Sequence, residues 1–219
     1  MAKNEKKVAA QDNELDVEIN KWEEALKNKQ TQKTILWVAI AAIVIAGVAV
    51  VWNWIGNSNN AKAQDAIWES QLLFDQGQYQ QALDGFEGVI SDYGSTKAGN
   101  LAKAYAGICE KNLGNFDEAV KYLKDFDGND NVVAPAILSA LGDCYVAQDD
   151  NKKAAETFEK AAKAADNAQY TPLYLKKAGL AYEAAGDNAA AAKAYQAIKD
   201  NWAETALAQT IDKYIERVK

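Results

Sequence analysis

The sequence predicts an all-α chain: one transmembrane helix, then an α-solenoid of about four helix–turn–helix repeats and a C-terminal capping helix. Three observations predict it. Residues 35–52 carry no charged or polar side chain. Beyond them a turn residue, an alanine and a large apolar residue recur in a fixed frame, in four copies 35 to 37 residues apart. Alanine is abundant and only two prolines interrupt 219 residues, a composition that favours helix.

The apolar run comes first. At about 1.5 Å per residue it spans about 27 Å, and through Ile55 it exceeds ~30 Å, enough to cross a hydrocarbon core. Trp37 stands near one end and Trp52 and Trp54 near the other, where indole rings prefer the headgroup level. A buried helix of a soluble core rarely runs so long without a polar face, so residues 34–55 read as a transmembrane signal anchor in a lipid bilayer. Residues 1–33 are a polar, lysine-rich tail in which Leu15, Ile19, Trp22 and Leu26 recur at helical spacing. That stripe suits a short amphipathic helix with Trp22 as a further membrane anchor. A solvated tail with a chance stripe fits the same residues, because acids alternate with the lysines. Lys21, Lys27, Lys29 and Lys33 precede the span closely, whereas only Lys62 follows it at a similar distance. The positive-inside rule therefore puts the N-terminus in the cytoplasm and the large domain outside. Ala61-Lys62-Ala63 resembles a small-residue cleavage site, but the apolar run exceeds a signal h-region of about 7–15 residues, which favours an uncleaved anchor. Residues 56–60, Gly-Asn-Ser-Asn-Asn, read as a short polar linker, and residues 61–219 as the folded outer domain.

Charge and composition then narrow the function classes. Seven lysines balance seven carboxylates before the span, so the net charge of −7 lies entirely in the C-terminal domain. An acidic domain repels phosphate backbones, which argues against nucleic acid. The chain has no histidine, which removes His general bases, Ser-His and Cys-His pairs and His-containing zinc sites. Paired carboxylates such as Asp149-Asp150 read as turn residues without a second catalytic group. No enzyme activity, cofactor, metal or small-molecule substrate is expected.

The repeats organise the rest. Gly77, Tyr79, Ala82 and Phe86 set a frame that recurs as Gly114, Phe116, Ala119, Leu123 and as Gly186, Asn188, Ala191, Tyr195, with a weaker copy in Asp149, Asn151, Ala154, Phe158. Seven residues before each turn position stands a small residue: Ser70, Gly107, Gly142 and Gly179. A small residue lets a second helix approach closely, and a turn glycine supplies the positive φ that ends the first helix. This grammar resembles the tetratricopeptide repeat, whose period is about 34 residues, with the extra length absorbed in loops such as residues 127–132. Pro135 and Pro172 fall at the starts of first helices, where a missing N–H costs little. Residues 203–218 read as a solitary cap, with Ala206, Ile211 and Ile215 facing the last repeat.

Two finer expectations follow from the frame. Cys109 and Cys144 occupy equivalent places in successive repeats, too far apart in sequence for a CxxC site. Stacked helices lie about 8–10 Å apart, whereas a disulfide needs Cα atoms within about 7 Å, so two reduced, buried thiols are expected. The concave face should be lined by first helices through Ile67, Gln71, Phe74, Leu101, Ile108, Asp143, Val146, Leu173, Lys176 and Leu180, a partly apolar groove for an extended or helical peptide. Packing of these side chains against the chain's own cap is the alternative. The paired Lys and Asn that grip a C-terminal carboxylate in cochaperone repeats are missing: the corresponding pairs are Ile67/Gln71, Ala104/Ile108, Ser139/Asp143 and Lys176/Leu180.

The layout, together with residues 93–98, 100–107, 133–138 and 211–217, resembles the YfgM-type family of bacterial inner-membrane proteins, in the form found in Bacteroidota-type bacteria. That resemblance implies a cytoplasmic tail, a single-pass anchor and a periplasmic tetratricopeptide domain. It also implies an ancillary role at the Sec translocon, linking emerging secreted or outer-membrane proteins to periplasmic chaperones. A structural scaffold for another cell-envelope assembly complex, serving the cell wall or outer membrane, is the alternative reading.

Overall fold

The computed structural model describes residues 29–219, which form nine α-helices, and no strand occurs among the described residues. The expected amphipathic helix around Trp22 lies outside the described residues. Helix α1 spans Lys29–Asp75, and the chain divides into two compact units between Asn57 and Ser58. In the first unit α1 is long and apolar enough to cross a membrane. Its described apolar side chains, Trp37, Trp52 and Trp54 among them, are exposed, as a lipid-facing surface requires.

Residues 56–60 are helical, not an irregular linker. Their Asn and Ser favour turns, but one of them has a partner that holds it in the helix. Asn60 Oδ1 accepts a 2.9 Å hydrogen bond from the Ala98 N–H, an orphan donor in the first turn of the next repeat.

The second unit, from Ser58, continues with α2 (Tyr79–Tyr93), α3 (Lys97–Leu113), α4 (Phe116–Asp125), α5 (Val133–Ala147), α6 (Asn151–Ala165), α7 (Thr171–Ala184) and α8 (Asn188–Asn201). With the last turns of α1, these make four antiparallel pairs. Each first helix ends alike. The N–H of Gln78, Asn115, Asp150 and Asp187 donates to the carbonyl of Leu73, Glu110, Tyr145 and Tyr182 respectively, each at 2.9 Å. That closure needs a left-handed residue just before the donor. Gly77, Gly114 and Gly186 supply it at φ of +74°, +87° and +79°, whereas the third repeat forces Asp149 to +60°.

The small residues act at the helix crossings. A Cβ added to Gly107 would sit 2.7 Å from Leu123 Cγ, one on Gly142 2.5 Å from Phe158 Cε1, and one on Gly179 closer still to Tyr195 Cε1. In the first repeat the roles are spread over both helices, and a Cβ on Gly85 would meet Ser70 Oγ. In the last three repeats the large residue of the second helix thus lies directly on the small residue of its own first helix. Ala82, Ala119, Ala154 and Ala191 are fully buried. Pro135 and Pro172 stand within the first turns of α5 and α7.

Buried side chains form two clusters. One joins Ala63, Ile67, Phe86 and Val89 to Ala102, Ala106 and Cys109, and the other runs from Ala104 through Cys144, Phe158 and Tyr195 to Val218. Helix α3 gives one face to each.

The cap is shorter than residues 203–218. A 3-10 turn, Ala208–Thr210, precedes α9, Asp212–Arg217. Thr205 Oγ1 accepts from the Ala208 N–H, which starts the helical segment late and rotates its register. Ala206 is therefore exposed and Leu207 packs on the core in its place, with Ile211 and Ile215.

Candidate functional site

Helices α5, α6 and α7 leave an open cleft of about 200 Å³ between them. Its walls are Val146, Phe158, Leu180, Ala181 and Ala184, with Asp143, Asn151 and Lys177 at the polar edge. Val146 and Leu180 stay exposed although both are large and apolar.

Lys177 organises the polar edge. Its Nζ donates to both carboxylate oxygens of Asp143 at 2.9 Å and to Ser139 Oγ at 3.0 Å. It also lies 5.2 Å from the centroid of the Phe158 ring, so the cation ties two successive first helices together across an aromatic face. Chemically the cleft offers apolar contact flanked by one ion pair, which suits a side chain or short segment of polypeptide.

The ten expected groove residues divide. Asp143, Val146 and Leu180 meet in the cleft. Leu173 is exposed and Gln71 half-buried. Ile67 belongs to the core of the first repeat and offers no surface to a ligand. Phe74 is engaged edge-on by Tyr79 and Tyr105, at centroid separations of 5.6 and 5.2 Å. Leu101 and Ile108 pack, partly buried, on the two core clusters. Lys176 turns to the cap, with Nζ 4.9 Å from the Tyr214 ring. Its neighbour Lys177, about 100° away on the same helix, is the lysine that lines the α5–α7 cleft.

Cys109 and Cys144 are free and buried, one in each core cluster. Burial, reinforced by the adjacent Glu110, pushes the Cys109 thiol up to about 12. Burial pushes Cys144 up to about 11. Neither is a nucleophile at neutral pH.

Residues 135–167 and 175–205, the third and fourth helix pairs, match tetratricopeptide-repeat family models. Those two pairs are tetratricopeptide repeats, and the solenoid as a whole is tetratricopeptide-like in fold. The first two pairs share the left-handed turn of the matched ones, and the second also shares their crossing. Among solved structures, a Podosopora anserina protein of nearly identical TPR-like repeats is similar at 15% identity, with a TM-score of 0.58 over 73% of this chain and 86% of that one. A single-residue variant of that protein gives 0.57 at 15% identity over 73% and 85%. MamA gives 0.51 at 17% identity over 74% and 91%. These likenesses concern the fold. No curated protein matches the chain. Tetratricopeptide repeats are protein-interaction scaffolds, so the two matched repeats indicate a protein–protein interaction module.

Proposed function

We propose that the chain is a membrane-anchored receptor for polypeptide, holding an extended or helical segment in the α5–α7 cleft. We place it as an ancillary subunit of the Sec translocon in a bacterial inner membrane, with its tail cytoplasmic and its repeats periplasmic. There it passes emerging secreted or outer-membrane proteins to periplasmic chaperones. The observation that carries the binding role is the cleft itself: Val146 and Leu180 stand exposed beside a fixed ion pair. The translocon assignment rests on the resemblance to the YfgM-type family and on the apolar anchor.

Purification of the tagged chain from native membranes in mild detergent, with mass spectrometry of what accompanies it, tests the assignment. Recovery of the Sec channel near stoichiometry is the expected result. A different envelope complex in its place overturns the translocon reading in favour of a scaffold. Binding is tested separately with a reduced, unfolded polypeptide. Saturable binding that weakens about tenfold or more in Leu180→Asp supports the cleft, and binding indifferent to that change refutes it.

A further inference from the structure

The two ends of the repeat array are finished differently. At the C-terminal end the cap covers α8: Ile211 is fully buried and Tyr214 packs on Tyr195 at a centroid distance of 5.4 Å. At the other end, α1 carries Trp68 at 69% exposure and Leu72 at 51%. These two are four residues apart and share a helix face. At 3.6 residues per turn, Asp65 and Glu69 lie along one side of the pair and Asp75 along the other, all within an arc of roughly 120°. All three carboxylates are exposed, and none is in an ion pair among the described residues.

The charge is concentrated there as well. Residues 58–96 hold six carboxylates and one lysine, Lys62, a net −5, which leaves only −2 of the total of −7 for the remaining repeats and the cap. An exposed tryptophan framed by unpaired acids on a terminal repeat is costly for solubility alone, and terminal repeats otherwise present polar outer faces.

We propose that this face of α1 is a second docking surface, separate from the α5–α7 cleft, for an amphipathic helix of a partner protein bearing lysine or arginine beside its apolar stripe. Trp68 and Leu72 receive the apolar residues, and Asp65, Glu69 and Asp75 pair with the flanking cations. The charge selects this occupant. A second copy docking through the same face would set Asp65 and Glu69 against their own counterparts. An anionic lipid surface is repelled for the same reason.

The test uses the full chain in zwitterionic nanodiscs, with empty nanodiscs as the blank. The probe is a fluorescent lysine/leucine amphipathic helical peptide, and a glutamate/leucine peptide of the same pattern is the control. Saturable binding of the lysine peptide alone is expected. It should weaken about tenfold or more in Trp68→Ala and in Asp65→Lys/Glu69→Lys, both exposed sites whose folding circular dichroism checks, and should fall with added salt. Leu180→Asp should leave it unchanged, which separates this surface from the cleft. Equal binding of the glutamate peptide, or insensitivity to charge reversal, overturns the proposal. Loss of binding in Leu180→Asp overturns it in favour of the cleft. Self-association that disappears in Trp68→Ala, seen by sedimentation, overturns it in favour of a second copy.

Discussion

Gly142→Ala adds one methyl group to the middle of α5, and its effect can be worked from the crossing. The new Cβ falls 2.5 Å from Cε1 and 2.8 Å from Cδ1 of Phe158. Carbon atoms rest about 3.5–4.0 Å apart, so the ring must retreat by about 1 Å. Phe158 is buried between α5 and its neighbours, and overpacking of this kind costs about 1–3 kcal/mol. Replacing glycine by alanine within a helix returns about 0.8–1 kcal/mol. A net loss of up to about 2 kcal/mol is expected. Gly88, inside α2, is the internal control, because a Cβ there meets nothing within 4 Å. Gly88→Ala should stabilise by about 0.5–1 kcal/mol. Gly179→Ala should be worse than Gly142→Ala, since the Tyr195 hydroxyl donates to Glu183 and holds its ring against swinging away. Urea unfolding of the full chain in mild detergent, followed by circular dichroism, reads all three as midpoint shifts. If Gly142→Ala raises the midpoint as Gly88→Ala does, the close-packing account of the repeat is wrong.

Three further outcomes are expected. Gly114→Ala, at φ +87°, should destabilise by about 1–2 kcal/mol, whereas Asp149→Gly, at φ +60°, should stabilise by up to about 1 kcal/mol; the same unfolding curves check both signs. Lys177→Met should cost less than about 1 kcal/mol despite three hydrogen bonds, because both partners of the Asp143 pair remain partly solvated; a loss of several kcal/mol would show the pair to be structural. The third outcome concerns pH. Burial raises the Glu183 carboxyl, but the hydrogen bonds from Arg217 and Tyr195 outweigh it and hold the group below its ordinary value. A depressed carboxylate stabilises the fold above its unfolded pKa, and that contribution disappears as pH falls through the folded value. Amide exchange in α9, corrected for intrinsic rates, should therefore accelerate as pH drops below about 4, and Arg217→Gln should blunt that response.

The repeat frame was readable because each of its positions answers to a local steric demand. A left-handed turn selects Gly77, Gly114 and Gly186, and a crossing that excludes Cβ selects Gly107, Gly142 and Gly179. Neither demand needs knowledge of distant residues. The groove was harder. Lys176 and Lys177 differ by about 100° around one helix, and what separates them is Tyr214, an aromatic ring in the cap that draws Lys176 away. Ile67 has the offset of a groove residue but packs into the core beside Ala63, and its neighbour Trp68 is the exposed one. The helical state of residues 56–60 was hidden for a similar reason, since Asn60 is engaged by the backbone of Ala98 in the following repeat. Local pattern found the helices and turns, while contacts between elements decided which faces remained open.

The division of the interior into two clusters, joined through α3 and α4, has a practical consequence. Cys109 lies in one cluster and Cys144 in the other, and each thiol is shielded until its own part of the array opens. Under native conditions a thiol reagent can reach either sulfur only through that opening, so the two labelling rates report two separate opening free energies. The chain thus carries one internal reporter for each half of its repeat array. A ligand held in the α5–α7 cleft should slow labelling at Cys144 alone, whereas a helix docked on Trp68 should slow it at Cys109.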